Sequence, residues 1–370
     1  MPRYIWKHAR WPALTWRGED LMPALSQCRK RQGTLLGAMS AMGLELATEA
    51  RSEILVTEAI QTSLIEGAPL NLAAVRSSVA NRLGLVYAGV PFTDRRADGL
   101  VELLLDGTAR FDEKLSVSRL NRWHAALFPS GYSGLHKITA GKYRPGEINV
   151  LSGPVGKEKV HFSAPPPRRV PGEMKRFLRW WHVSRENLDG LLRAGVAHFY
   201  FVTIHPYEDG NGRLARALTD VALAQDERRP ERFYSMSAQI ASERNAYYET
   251  LERAQKSSLD ITSWLRWFLE CLERAIDHSE NVMGGVFYKA RFWAKFNSAP
   301  LSAHQRKVIV KLLDAGPDGF EGGLTTRKFV SMAKVSRATA YREITDLVDK
   351  GILVHRPGGG RSVSYTLAPV

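Results

Sequence analysis

Between His205 and Arg216 the chain reads HPYEDGNGRLAR, which sets an imidazole, two adjacent carboxylates, two glycines and two arginines in one short run. Gly210 and Gly212 flank Asn211, so three consecutive residues tolerate positive φ. A loop of this kind can turn its N–H groups inward as an anion-binding nest. A helix is expected to begin near Gly212 or Arg213, which puts Arg213 and Arg216 on one face of its first turns. Cations there oppose the helix macrodipole unless an anion is bound, and this points to a phosphate or carboxylate partner. Asp209 opens the loop. A single carboxylate beside a phosphate nest suits Mg²⁺, which takes one or two protein carboxylates together with phosphate oxygens and waters. Calcium does not fit, because Arg213 stands where its next oxygen ligand belongs. His205 lies just ahead of the loop and is suited to taking a proton from a hydroxyl near neutral pH. The set describes phosphoryl or nucleotidyl transfer. An isolated DGNG would read as a polar turn between two helices; the complete constellation argues against that.

The run closely resembles the Fic-family signature H-P-F-x-[D/E]-G-N-G-R-x-x-R. It departs only at Tyr207, which keeps an aromatic ring and adds a hydroxyl. The resemblance covers roughly residues 55–280, and the N-terminal stretch WPALTWRGEDLMPALSQCRKRQGTLLG is similar to a small helical domain that precedes the core in one subgroup. What this implies is a protein adenylyltransferase: AMP passes from ATP to a Ser, Thr or Tyr hydroxyl of a target protein, which can be the chain itself, and pyrophosphate leaves. By position, His205 would be the base and Asp209 the Mg²⁺ ligand. Gly210, Asn211 and Gly212 would form the nest, with Arg213 and Arg216 on the phosphates. In SERNAYYETL, Asn245 and Tyr248 would be nucleotide-site residues, although core packing explains the tyrosine equally well. A hairpin at about 142–163 would be the family's flap, aligning a target segment by strand addition. A phosphorylating subgroup carries Lys where Gly212 stands, so the glycine favours AMP transfer. Donor preference and AMP removal stay open.

TSLIEG, from Thr62 to Gly67, would pass as an ordinary helix end with a solvated glutamate. An acid at a helix C-terminus is disfavoured by the macrodipole, however, so a cationic partner would help explain Glu66. The stretch resembles the family's inhibitory motif [S/T]-x-x-x-E-[G/N], matched by Thr62, Glu66 and Gly67. The resemblance implies that Glu66 pairs with Arg216 and fills the space of the ATP γ-phosphate.

The elements around these residues are mostly helical. AGVAHFYFVTI before the loop and ALTDVALAQ after it are both helix-like. Upstream, helical periodicity runs from Glu19 to Met42, with Leu21, Leu25, Leu35, Leu36 and Met39 as core candidates and Trp6, Trp11 and Trp16 capping that layer. A second helix, Ala47 to Glu66, stops at Gly67 with Pro69 beyond. INVLSG and KVHFSA around PVGKE read as a β-hairpin, and APPPRRVP as an extended connector. LDITSWLRWFLECLERAI closes the middle region, and a helical linker follows. Basic residues number 52 against 38 acidic, a net +14 that hints at a polyanionic partner. Cys28 and Cys271 lack metal-ligand spacing and read as buried thiols in a reducing compartment. No apolar h-region and no bilayer-length apolar run are present, so a cytoplasmic protein with no membrane partner is expected.

Toward the C-terminus three helices, in SAHQRKVIVKLLDAG, LTTRKFVSMAKV and SRATAYREITDLVDKG, precede a hairpin in ILVHRPGGGRSVSYTL. The order resembles a winged helix, with Arg337, Thr339, Tyr341, Arg342, Arg356 and Arg361 as candidate DNA contacts. Acidic Glu343, Asp346 and Asp349 interrupt that face, and a protein-contact role is the alternative. The expected architecture is mainly α: an N-terminal helical domain with the inhibitory helix (1–85), a Fic-type helical core with a β-hairpin flap (86–280), a helical linker (281–298) and a winged-helix-like domain (299–370). The expected activity is ATP- and Mg²⁺-dependent protein adenylylation restrained by Glu66. The rivals are a DNA-binding regulator that uses the core as nucleotide sensor or self-modifier, and an AMP-removing hydrolase. A homodimer is left open.

Overall fold

The computed structural model describes residues 4–40, 44–85, 92–152, 157, 159–296, 299–316, 320, 322–356 and 363–370. It divides into two compact units, Met1–Ala41 with Arg51–Tyr87 and Pro91–Ser279, and Met42–Ala50 with Ala88–Val90 and Glu280–Val370. In chain order the helices are α1 Gly18–Ser40, α2 Leu44–Ile65, α3 Leu72–Leu83, α4 Arg95–Ala109, α5 Val117–Leu127, α6 Val170–Asn187, α7 Gly190–Ile204, α8 Asn211–Glu227, α9 Met236–Ser242, α10 Arg244–Gln255, α11 Thr262–Phe296, α12 Ala303–Asp314, α13 Thr326–Ala333 and α14 Arg337–Asp349. Three short antiparallel pairs complete the set: β1 Tyr132–Ser133 with β2 His136–Lys137, β3 Asn149–Ser152 with β4 Lys159–Ser163, and β5 Leu353–His355 with β6 Tyr365–Leu367.

The larger unit is organised on α7 and α8. Every residue of α7 from Leu191 to Ile204 is buried, as expected of a helix that is apolar all round. Asp189 caps its start by accepting from the Leu191 and Leu192 N–H groups. Its end is turned by His205 in the left-handed region, φ 52°. α8 is buried along most of its length and packs beside α7, so the loop joining them is held at both ends by the core.

Several sequence expectations are corrected here. α2 ends at Ile65, with Gly67 at φ 68° as its stop, so Glu66 follows the helix instead of closing it. In α1, Leu21, Leu35 and Met39 are buried, whereas Leu25 and Leu36 are only half-buried. Trp6 and Trp11 do not simply cap α1. Their indole N–H groups donate to Ser163 O of β4 (2.7 Å) and to Glu173 Oε2 of α6 (2.9 Å). Pro167–Arg169 is a 3₁₀ turn, so the proline-rich connector is extended only at its start. α11 is one helix through the closing helix and most of the linker that the sequence separates. The flap strands form with a register shift between Val150 and Leu151, and most of their connecting turn lies outside the described residues. Cys28 and Cys271 are free and buried, and burial pushes the Cys28 thiol up to about 12.

In the smaller unit, Ser302, Thr325 and Ser336 cap α12, α13 and α14, each side chain accepting an N–H three residues on. Val308, Ile309, Phe329, Ile344, Leu347 and Leu353 form its core, and Leu324 bridges to Tyr365 beside the β5–β6 hairpin. Among the described residues no helix is long and apolar enough to cross a membrane.

Candidate nucleotide site at the start of α8

The His205–Arg216 loop is built by contacts within itself. The Asn211 amide accepts from the Tyr207 N–H (3.0 Å) and donates to the Tyr207 carbonyl (2.8 Å), closing the loop across four residues. Asn211 is therefore a buried strut, and its side chain is not directed at an anion. Among Gly210, Asn211 and Gly212, only Gly210 has positive φ, 77°. Asn211 and Gly212 already belong to α8, so the expected three-residue nest is in fact the first turn of a helix with its unpaired N–H groups. Gly210 also needs to be glycine for space, since a Cβ there would lie 2.9 Å from the Phe128 ring.

His205 is half-buried. Its Nδ1 lies 3.1 Å from the Val202 carbonyl, an acceptor, so Nδ1 carries the proton and Nε2 keeps its lone pair. Burial lowers its pKa below the ordinary 6.5, and the Val202 carbonyl opposes that only in part. Arg144 holds the backbone in place. It is buried, its Nε donates to His205 O at 2.7 Å, and its own N–H donates to Pro206 O at 3.0 Å.

The Asp209 carboxylate is 38 % exposed and pairs loosely with Arg213 at 3.7 Å. Its Oδ1 accepts the Gly210 N–H (2.6 Å) and its Oδ2 accepts the Ser133 hydroxyl. A half-open single carboxylate next to a helix N-terminus is a donor set that fits Mg²⁺ shared with phosphate oxygens. Beside it, two buried guanidinium atoms, Arg213 Nε and Arg216 Nη1, have no hydrogen-bond partner among the described residues. Unmet buried N–H groups are costly, and an oxyanion would satisfy them.

Arg216 is 2 % exposed and holds the end of α2. Its Nε donates to Thr62 Oγ1 (2.7 Å), and its Nη2 donates to Thr62 O (3.0 Å) and Glu66 Oε1 (2.7 Å). Burial alone would lower the pKa of this guanidinium; the Glu66 carboxylate, together with the nearby Tyr247 and Tyr248, offsets burial and leaves it raised. Gly212 matters here for a steric reason, because a side chain at that position would collide with Glu66 Oε1. The glutamate therefore lies against the first turn of α8.

Sequence reasoning missed three residues of this site. His124, on α5, is fully buried, stacks on Tyr207 (centroids 4.2 Å, 11°) and reaches Asp209 O at 3.1 Å through Nε2. Its Nδ1 accepts the Gly141 N–H at 2.8 Å, and burial holds its pKa down to about 4, so it is neutral and donates through Nε2. Ser133 reaches Asp209 from the β1–β2 hairpin, which the sequence reading did not contain. Asn121 accepts the hydroxyl that Tyr207 adds to the signature, at 2.8 Å. None of these lies in a recognisable local pattern. Of the weaker candidates, Tyr248 is half-buried, with the Glu66 and Arg216 charges close enough to act on its hydroxyl. Asn245 is exposed on α10.

Residues 114–223 match the family described as Fic/DOC. The chain carries a Fic/DOC-family domain. Ahead of the Fic domain, residues 4–85 match a domain of unknown function, DUF4172. The chain is 31 % identical over 222 residues to a protein named protein adenylyltransferase Fic from Nematostella vectensis, covering 58 % of this chain and 46 % of that one. It is 28 % identical over 167 residues to protein adenylyltransferase fic-1 of Caenorhabditis elegans, covering 44 % and 30 %. It thus spans less than half the length of either relative. Among solved structures, a Fic family protein from Desulfovibrio desulfuricans superposes with a TM-score of 0.52 at 19 % identity, covering 94 % of this chain and 96 % of that one. The mainly α Fic fold is common to both.

Proposed function

We propose that this chain transfers AMP from ATP to a hydroxyl side chain of a protein, and that Glu66 restrains it. The observation that carries the reading is the convergence at the start of α8 of a neutral, tautomer-fixed His205, a half-open Asp209 and two buried arginines with unmet N–H groups. In the reaction, the target hydroxyl gives its proton to His205 Nε2 and its oxygen bonds to the α-phosphorus. The α–β bridging bond breaks, and its electron pair leaves with pyrophosphate. Asp209 would hold Mg²⁺, whose charge would neutralise the phosphates as pyrophosphate departs. The first turn of α8 with Arg213 and Arg216 supplies fixed positive charge where negative charge accumulates. Tyr248 and Asn245 are assigned to the nucleotide side, and the β3–β4 hairpin to alignment of the target segment.

Incubation with ATP labelled at the α- or the γ-phosphate tests the assignment. Label from the α position should appear covalently on protein, with a mass gain corresponding to AMP, while γ-label should stay in solution. Transfer of γ-label alone would replace adenylylation by phosphorylation. Loss of AMP from a premodified target, without any transfer, would favour the hydrolase.

For the smaller unit we propose a winged helix able to contact DNA, keeping the four-part division of the chain. On α14, Arg337, Tyr341 and Arg342 are exposed, as is Arg356 after β5, whereas Thr339 is half-buried and bonded to Ser336. Arg361 lies outside the described residues. Glu343 and Asp346 engage Ser302 and Gln305 in the unit's own packing, which tempers their effect on the basic face. Binding to duplex DNA should weaken steeply with salt, and replacing Arg337 and Arg342 by alanine should reduce the log–log salt slope by about 2 if each meets one phosphate. No binding at low salt would leave protein contact as the unit's role.

A further inference from the structure

The restraint by Glu66 requires the end of α2 to stay seated on Arg216, and a second contact on the same helix face is built to keep it there. Glu58 and Thr62 are four residues apart on α2, so they lie within about 40° of one another around the helix, and Glu66 follows four residues on, just past the helix end. Glu58 is 5 % exposed, yet its carboxylate is well satisfied. Oε2 accepts the Ser235 hydroxyl (2.6 Å) and the Ser237 N–H (3.1 Å), and Oε1 accepts the Ser237 hydroxyl. Those donors sit at the start of α9, shortly after α8 ends. One end of the α2 face is therefore bound to Arg216 on α8 and the other to the segment that follows α8.

The surroundings of Glu58 hold it in this role. Asp220 lies one turn beyond Arg216 on α8, buried and facing Arg232 at 3.7 Å. Burial, and then the Glu58 charge, raise the Asp220 carboxyl well above its usual value. Arg232 is bound in turn by Glu227 at 2.7 Å. Glu58, Asp220, Arg232 and Tyr234 line a small cavity of about 20 Å³, room for roughly one water.

We propose that Glu58 is a positioning residue for the inhibitory glutamate: its clamp on Ser235 and Ser237 sets α2 so that Thr62 and Glu66 meet Arg216. This rests on the reading of Glu66 as the restraint. It adds that inhibition depends on a contact two helical turns away that touches neither nucleotide nor target. Loosening the clamp shifts α2 toward arrangements in which Glu66 leaves Arg216, and ATP is bound productively in a larger fraction of molecules.

The test compares the full-length wild type, Glu58→Ala, Ser237→Ala, Glu66→Gly and the double variant Glu58→Ala/Glu66→Gly. Each is assayed for self-labelling with α-labelled ATP and for ATP affinity, below the onset of melting. Glu58→Ala should raise labelling about 2- to 30-fold, the range for mutations that modulate coupling through a packed network. Ser237→Ala should act in the same direction, and it keeps the experiment decisive if Glu58→Ala does not fold. The apparent ATP affinity should tighten in both. The double variant should equal Glu66→Gly, because a positioning residue has nothing left to position. A merely structural role would lower labelling and melting temperature together and would not improve ATP binding. If Glu66→Gly raises labelling while neither Glu58→Ala nor Ser237→Ala does, the clamp is wrong and the restraint stands. If Glu66→Gly itself has no effect, the restraint falls and the clamp with it.

Discussion

Glu66→Gly should raise AMP transfer by about 10- to 100-fold over the wild type at saturating ATP and Mg²⁺, read most directly as self-modification. The magnitude follows from the contact. A hydrogen bond to a charged group contributes about 1.5–3 kcal/mol, and 1.4 kcal/mol is a factor of ten. The glutamate holds the Nη2 of a guanidinium that is 2 % exposed, at 2.7 Å, and lies against the first turn of α8. Removing it leaves Arg216 tied to Thr62 and frees charge for an incoming phosphate. Arg216→Ala should not activate, since it deletes the anchor of the restraint and the phosphate clamp together. The combined variant should behave like Arg216→Ala. Equal transfer by wild type and Glu66→Gly would remove the restraint from the mechanism and leave the catalytic assignment untouched.

His205→Ala should abolish transfer, with a loss of about 10²–10⁴-fold typical of a general base, and should change ATP affinity little. The imidazole contributes Nε2, while its Nδ1 is engaged with Val202. The same reading fixes a pH dependence. A base works in its neutral form, so activity is present above the folded-state pKa and falls as pH drops through it. Burial places that pKa below 6.5. The acid limb of kcat/KM, which reports the free enzyme, measured in Glu66→Gly so that release of the restraint is not limiting, should therefore lie on the acid side of 6.5. A limb above 6.5, or wild-type rates in His205→Ala, would assign the base elsewhere.

What the sequence alone determines about this protein is what acts over one or two helical turns. The apolar run of α7, the stop at Gly67 and the junction at His205–Arg216 are set by side-chain period and backbone conformation within a few residues. Even there the tertiary structure revised the roles. Asn211 closes the loop onto Tyr207 because a buried amide must satisfy both its donor and its acceptor, and only Gly210 takes positive φ. The resemblance of TSLIEG to an inhibitory motif anticipated a Glu66–Arg216 pair, but the two residues are 150 apart in the chain, and only the packing of α2 against α8 brings them within 2.7 Å. His124, Ser133 and Glu58 carry no spacing that marks them. A histidine on an amphipathic helix, a serine in a short turn and a glutamate amid other polar residues are ordinary until the fold desolvates them. Folding then stacks His124 on Tyr207, points the Ser133 hydroxyl at Asp209 and converges three donors on Glu58. Polar side chains acquire a definite partner when water is excluded, and which partner that is depends on segments far apart in the chain.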